Sequence, residues 1–239
     1  MTTRAVLFDA GNTLLHLDYL FIANLLEEHG CPRTAMEIRI AEYAAKAAID
    51  RELAPSVATP DSIEGLLWPT GGERPSYFAV ALHQLGIGVD QTPPILDALK
   101  RHNEADCLWR VIHPDTAGVL DDLRSRGLKL GVVSNADGRI EGDIRRRGLG
   151  DHFATVVDSH VVGVEKPDPK IFSIAMERIG SQPDETIYVG DVYAIDILGA
   201  RSAGMEAILV DTLDRYPGNL DCRRIRGLGE LLDILPATV

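Results

Sequence analysis

Cysteine is scarce in this chain. Three occur in 239 residues, Cys31, Cys107 and Cys222, and no two form a Cys-x-x-Cys pair. An odd number at wide spacing leaves no disulfide framework and no zinc-ligand pattern, and fits a reduced, cytoplasmic protein. Positive charge is also short: 24 Lys plus Arg stand against 36 Asp plus Glu, a net charge of −12. A surface that grips nucleic-acid phosphates is basic, so no nucleic-acid partner is expected. No apolar run approaches the roughly 18 to 20 residues of a membrane span. The run Ala5–Phe8 near the start is too short for a signal-peptide core, and no membrane partner is expected. Repeats and low-complexity tracts are absent. What remains, 45% apolar and 25% charged, is ordinary globular composition, enough for one domain with a large insertion or two small domains.

The chain divides by rhythm. Short apolar runs at Ala5–Phe8, Leu128–Val133, Thr155–Val157, Thr186–Val189 and Glu206–Val210 suit strands buried on both faces of a parallel sheet. Helical patterns lie between them at Asp115–Arg126, Pro169–Arg178 and Ile195–Ala203, each followed by or ending near a glycine. This alternation predicts an α/β fold, a Rossmann-like doubly wound parallel sheet, with the carboxyl ends of its strands on one edge. Residues 16–108 break the rhythm. They read as helical throughout, with amphipathic segments at Tyr19–His29, Thr34–Leu53, Ser76–Leu85 and Thr92–His102, punctuated at Thr59-Pro60, Pro69-Thr70-Gly71-Gly72 and Pro93-Pro94. The expected organisation is a core of residues 1–15 and 109–239, with an inserted α-helical cap domain over 16–108. The Ala-rich segment Thr34–Leu53 reads as bundle packing.

Four places at that edge carry chemistry. Asp9 follows the first strand and opens the turn Asp9-Ala10-Gly11-Asn12-Thr13, where a carboxylate serves as nucleophile or metal ligand, or simply begins a turn. Ser134-Asn135 ends the second strand, where a hydroxyl and backbone amides can hold a phosphoryl oxygen. Lys166 precedes Pro167-Asp168-Pro169. Asp168 suits a helix N-cap and Pro169 the first helical turn, while the lysine is either solvated or placed to neutralise a phosphate. Gly190-Asp191 ends the fourth strand, and Asp196 follows as a helix cap or an outer partner of a cation. Converging carboxylates repel unless a cation lies among them, and Mg2+ takes few carboxylates alongside water and phosphate oxygens.

Taken in order, Asp-x-x-x-Thr, Ser-Asn, Lys-Pro-Asp-Pro and Gly-Asp-x-x-x-x-Asp resemble the haloacid dehalogenase-like hydrolase superfamily, in the subfamily with a helical cap inserted after the first motif. The resemblance spans the whole chain and includes the run Ile195–Gly204. It implies a Mg2+-dependent hydrolase of a small phosphorylated molecule, acting through an aspartyl-phosphate on Asp9. It also implies metal ligation by Asp9, the Gly11 carbonyl and Asp191, with Asp196 behind them. Ser134 and Lys166 would bind phosphate oxygens, Asn135 would line the site, and Thr13 would orient Asp9 by a hydrogen bond. A monomer or homodimer is expected.

One position departs from the pattern. Phosphatases of that family usually read Asp-x-Asp-Gly-Thr, and here Gly11 stands where the second aspartate protonates the leaving group and activates water. Such general acid–base help is worth on the order of 10² to 10⁴ in rate. Asn12 replaces the family's glycine and is the residue next best suited to positive φ. Three readings follow. The first is a phosphatase for substrates with good leaving groups, aryl or acyl phosphates, with His16 as a conceivable substitute acid or a hinge residue. The second is carbon–phosphorus or carbon–halogen hydrolysis on the same scaffold. Lys46 and Lys100 are the cap lysines available for the former, and Asp191 argues against the latter. The third is a binding or scaffold protein that has lost catalysis.

Overall fold

The structure is a computed structural model that describes residues 3–55, 77–216 and 218–235. The punctuation at Thr59-Pro60 and Pro69–Gly72 and the start of the segment at Ser76 lie outside these residues. Two compact units form: Met1–Leu17, Trp109–Asp214 and Asp221–Val239 make the first, and Asp18–Leu108 with Arg215–Leu220 the second.

In chain order the first unit contains β1 (Ala5–Phe8) and β2 (His16–Leu17). After the second unit it resumes with β3 (Trp109–Val111), α5 (Thr116–Ser125), β4 (Lys129–Ser134), α6 (Ile140–Arg146), β5 (Thr155–Asp158), α7 (Ser159–Val162) and α8 (Pro169–Ile179), the labels α1 to α4 belonging to the second unit's described helices, Tyr19–Glu28, Ala35–Leu53, Tyr77–Gln84 and Thr92–Ala105. It ends with β6 (Thr186–Gly190), α9 (Leu198–Ser202), β7 (Glu206–Val210), β8 (Arg223–Ile225) and α10 (Leu231–Ile234). Six strands form one parallel sheet in the order β5-β4-β1-β6-β7-β8. All four residues of β1 and all five of β6 are buried, which is why these strands read as continuous apolar runs rather than alternating ones. Alternation still sorts them by face. Val6 and Phe8 pack with Val119, Leu120 and Leu123 of α5 and with Ile140 and Ile144 of α6. On the opposite face the Tyr188 ring meets Phe172 of α8 edge to face, centroids 5.0 Å apart. Burying each such side chain stabilises the fold by about 1.5–3 kcal/mol. The sheet is doubly wound, as the alternation of runs and helices predicts.

Asp168 caps α8 by accepting from the Lys170 N–H at 2.9 Å, with Pro169 in the first turn. The sequence reading of 16–108 as wholly helical is corrected at one end. His16 and Leu17 pair antiparallel with β3 in a two-stranded ribbon of the first unit. A two-residue strand carries no periodicity to read.

The second unit holds α1 (Tyr19–Glu28), α2 (Ala35–Leu53), α3 (Tyr77–Gln84) and α4 (Thr92–Ala105). Thr34 and Glu37 cap α2 reciprocally, the Thr34 N–H donating to Glu37 Oε2 at 2.7 Å. Residues 215–220 join this unit, with the Tyr216 ring against Tyr43 at 6.1 Å, a return the sequence does not signal. The packing face of α2 is not plain alanine. Glu42, Lys46 and Asp50, one turn apart, are buried on it. Glu42 accepts from the Tyr19 and Tyr77 hydroxyls, and Lys46 Nζ sits 4.5 Å from the centre of the Tyr43 ring. No helix among the described residues is long and apolar enough to cross a membrane.

Candidate active site

The three central strands, β4, β1 and β6, end side by side. Their exits carry Ser134, Asp9 and Asp191. The Asp9 N–H donates to the Val189 carbonyl at 2.8 Å, which extends the β1–β6 ladder to Asp9. The chain then turns at once. Leu14 and Leu15 N–H both donate to the Ala10 carbonyl, and Asn12 adopts φ +54°, the left-handed conformation its residue type tolerates.

Lys166 arrives from the loop before α8 and is buried. Its ammonium has three protons to donate. They reach Asp9 Oδ1 at 2.5 Å, Asp196 Oδ1 at 2.7 Å and the Tyr188 hydroxyl at 2.9 Å. The loop is pinned by Asn135, whose Oδ1 accepts from the Lys166 N–H at 2.7 Å and whose Nδ2 donates to the Lys166 carbonyl at 2.9 Å. The second oxygen of Asp196 accepts from the N–H groups of Asp191 and Val192, at 3.0 and 2.9 Å. Asp196 stands in a π-helical turn, Tyr193–Ile197, and its carboxylate passes directly over Gly190. A Cβ at Gly190 would lie within 2.6 Å of three Asp196 atoms, so only glycine fits there.

Asp9, Asp191 and Asp196 are all buried, and each offers an oxygen within 4.8 Å of the others. The Lys166 ammonium pairs with two of them, Asp9 and Asp196. Burial, together with repulsion from Asp196 and Asp191, outweighs the attraction of Lys166 and pushes Asp9 up to about 7 from 3.8. Burial alone would lower the Lys166 ammonium, but Asp196 and Asp9 outweigh it and hold the lysine above its ordinary value. Burial, reinforced by Asp196, likewise holds the Tyr188 hydroxyl well above its usual range, so it stays neutral.

A profile of known families matches residues 3–204 as haloacid dehalogenase-like hydrolase. The chain belongs to the haloacid dehalogenase-like hydrolase family. A Danio rerio relative, haloacid dehalogenase-like hydrolase domain-containing protein 3, is 34% identical over 189 residues, 78% of this chain and 74% of that protein. The match to its Homo sapiens counterpart spans 46% of that protein. Glyceraldehyde 3-phosphate phosphatase of Methanopyrus kandleri is 29% identical over 87% of this chain and 83% of its own length. Among solved structures, a phosphatase of the family from Thermococcus onnurineus superimposes with a TM-score of 0.60 at 27% identity, covering 98% of this chain and 99% of that one. The protein is a hydrolase of this family, with phosphatases among its relatives.

Within the family's site, two residues behave differently from expectation. Thr13 does not hydrogen-bond Asp9. Its hydroxyl oxygen is buried and has no hydrogen-bond partner, while Asp9 Oδ1 accepts from Lys166. Asn135 spends both its polar atoms on the Lys166 main chain, so it positions the lysine rather than offering its amide to a substrate. Asp9, Lys166 and Asp196 come into direct contact, Asp191 stands beside them, and Ser134 is buried at the neighbouring strand end. The sequence reading missed Tyr188. A hydroxyl inside the wholly buried run Thr186–Val189 was the available signal, since a buried tyrosine needs a polar partner. Here that hydroxyl meets Lys166, and it lies 3.1 Å from the Val133 carbonyl to which it donates.

Proposed function

We propose that this hydrolase cleaves phosphate monoesters of small molecules, with Asp9 as nucleophile and Mg2+ as cofactor. One observation carries the reading: three buried carboxylates, Asp9, Asp191 and Asp196, converge at the strand edge, and Lys166 pairs with only two of them, Asp9 and Asp196. Oxygen donors alone suit a hard divalent ion, and Asp9, Asp191 and the Gly11 carbonyl would hold it. When bound, Mg2+ supplies the positive charge that keeps Asp9 ionised and offsets the charge of the phosphoryl group.

The protein's own groups account for the rest. Asp9 attacks phosphorus in line and becomes an aspartyl-phosphate, and water then releases phosphate and restores the carboxylate. Once phosphorylated, Asp9 loses its charge, and the Lys166 N–H it held is freed for a phosphoryl oxygen. Thr13 Oγ1, buried without a partner, is a ready donor to another, since leaving it unmatched costs about 1–3 kcal/mol. Ser134 at the end of β4 supplies a third. Tyr188, Asp196 and Asn135 fix the lysine, so positioning and charge neutralisation do most of the chemistry. The name of the Methanopyrus kandleri relative supports a phosphorylated metabolite as the substrate class. The test is a panel of phosphorylated metabolites with Mg2+, run on the wild type and Asp9→Asn. Turnover that vanishes in the variant is the expected result, and equal turnover in both contradicts it.

A second reading, carbon–phosphorus hydrolysis, rests on the small residue at Gly11. Phosphonoacetaldehyde in the substrate panel tests it, and no turnover of that compound removes this alternative.

A further inference from the structure

Gly11 has a close neighbour. A Cβ built there would lie 3.3 Å from Trp109 Nε1, 3.4 Å from Cδ1 and 3.8 Å from Cε2. The nitrogen and both its bonded carbons are almost equally near, so the five-membered ring lies flat over the glycine and does not point its N–H edge at it. Trp109 is the first residue of β3, where it pairs in register with Leu17, and its ring packs against the buried cluster that contains Phe8, Leu14 and Leu15. The partly buried indole is thus supported by that cluster on one side and lies against Gly11 on another. A contact of 3.3 Å is tighter than ordinary van der Waals packing, so any side chain at residue 11 must push the indole aside.

We infer that Gly11 and Trp109 are a matched pair that excludes a general acid from the leaving-group side of the site and so restricts the enzyme to phosphates with weakly basic leaving oxygens: acyl, enol and aryl phosphates. The inference rests on the phosphatase reading and names its substrate class and a specificity-determining residue. Residue 11 is where an acid would begin, and an indole N–H is a hydrogen-bond donor that does not deliver its proton. The first step then runs without proton transfer. The Asp9 oxygen forms its bond to phosphorus, the bond from phosphorus to the leaving oxygen breaks, and the electron pair departs with that oxygen as an anion. The second step needs no acid either, because the aspartyl-phosphate is an anhydride whose leaving group is the Asp9 carboxylate. The attacking water's protons leave with the phosphate. Alkyl phosphates, whose leaving oxygens are strongly basic, fail at the first step. The substitution Gly11→Asp alone does not repair this, since already its Cβ would lie 3.3 Å from the indole nitrogen.

The test compares kcat/KM with Mg2+ across acetyl phosphate, 4-nitrophenyl phosphate, phenyl phosphate and an alkyl phosphate of similar size. Four proteins are used: wild type, Gly11→Asp, Trp109→Leu and Gly11→Asp/Trp109→Leu. General acid help of about 10² to 10⁴ sets the scale. The wild type should prefer aryl over alkyl phosphate by at least about 10²-fold, Gly11→Asp should change that ratio by less than about threefold, and the double variant should narrow it by at least about tenfold. A flat wild-type series, or a Gly11→Asp variant that narrows the ratio as far as the double variant does, overturns the inference. Should the Trp109 variants fail to fold, the wild-type series still decides the substrate class. Fluorescence of Trp109 in a Trp68→Phe background then decides the contact. Gly11→Asp should shift the emission, and an unmoved spectrum refutes the contact. A wild type inert toward every phosphate refutes the phosphatase reading itself, and this differs from active enzyme with a flat series.

Discussion

Magnesium should expel a proton when it binds, and the amount follows from the burial of Asp9. Its carboxyl is raised from 3.8 to about 7 by burial and by Asp196 and Asp191, a displacement that costs on the order of 4 kcal/mol for the charged form. Near neutral pH the metal-free carboxyl is then partly protonated, more so as pH falls below about 7. A divalent ion held on the carboxylate would release up to about one proton per site on the acid side of that value and progressively fewer above it. The apparent affinity weakens roughly tenfold per pH unit below 7 and levels off above 8. Titration calorimetry in two buffers of different ionisation enthalpy counts these protons directly, and Asp9→Asn should release almost none. If the wild type releases no proton at pH 6, Asp9 is already ionised without the metal, and the electrostatic account of the site is wrong.

Other outcomes follow from the same contacts. The folded value for Asp9 lies above the unfolded one, so its contribution to stability is whole below about pH 4 and is lost as pH rises through about 7. In chelator, Asp9→Asn should therefore gain on the wild type across that window by an amount on the order of 4 kcal/mol, read from urea melts, and a gap independent of pH contradicts this. Gly190→Ala drives a methyl group into Asp196 and should cost about 1–3 kcal/mol of stability together with most Mg2+ affinity; wild-type binding would refute the close approach. Tyr188→Phe leaves the Val133 carbonyl without its donor and Lys166 without one acceptor. It should cost about 1–2 kcal/mol and lower kcat more than it changes KM, whereas unchanged kcat would mean the hydroxyl does not position the lysine.

Much of the sheet was legible because strands buried on both faces must be apolar throughout. Ala5–Phe8, Thr186–Val189 and Glu206–Val210 advertise themselves, and the turns that follow them carry the acids. What was not legible depended on long-range pairing. His16–Leu17 and Trp109–Val111 are too short to show a period, and β8 begins Arg223-Arg224, which reads as surface rather than strand. The return of residues 215–220 to the helical unit has no local cause. At the site, residue types pointed to Asp9, Lys166, Asp191 and Asp196, because few positions at a strand edge carry charge. The partners of each were hidden. That Asn135 would clamp a main chain, that Asp196 would bridge Lys166 and the Asp191 turn, and that Thr13 would be left without a partner are consequences of packing. The Ala-rich helix α2 is a comparable case, since its small residues concealed the buried Glu42, Lys46 and Asp50.

The proposed attack of Asp9 on phosphorus can be tested chemically. Enzyme mixed with excess acetyl phosphate and Mg2+, quenched in acid within one turnover and mapped by peptide mass, should carry a phosphoryl adduct on the peptide containing Asp9, absent from Asp9→Asn. Steady turnover with no adduct on that peptide, and with Asp9→Asn still active, would contradict the account.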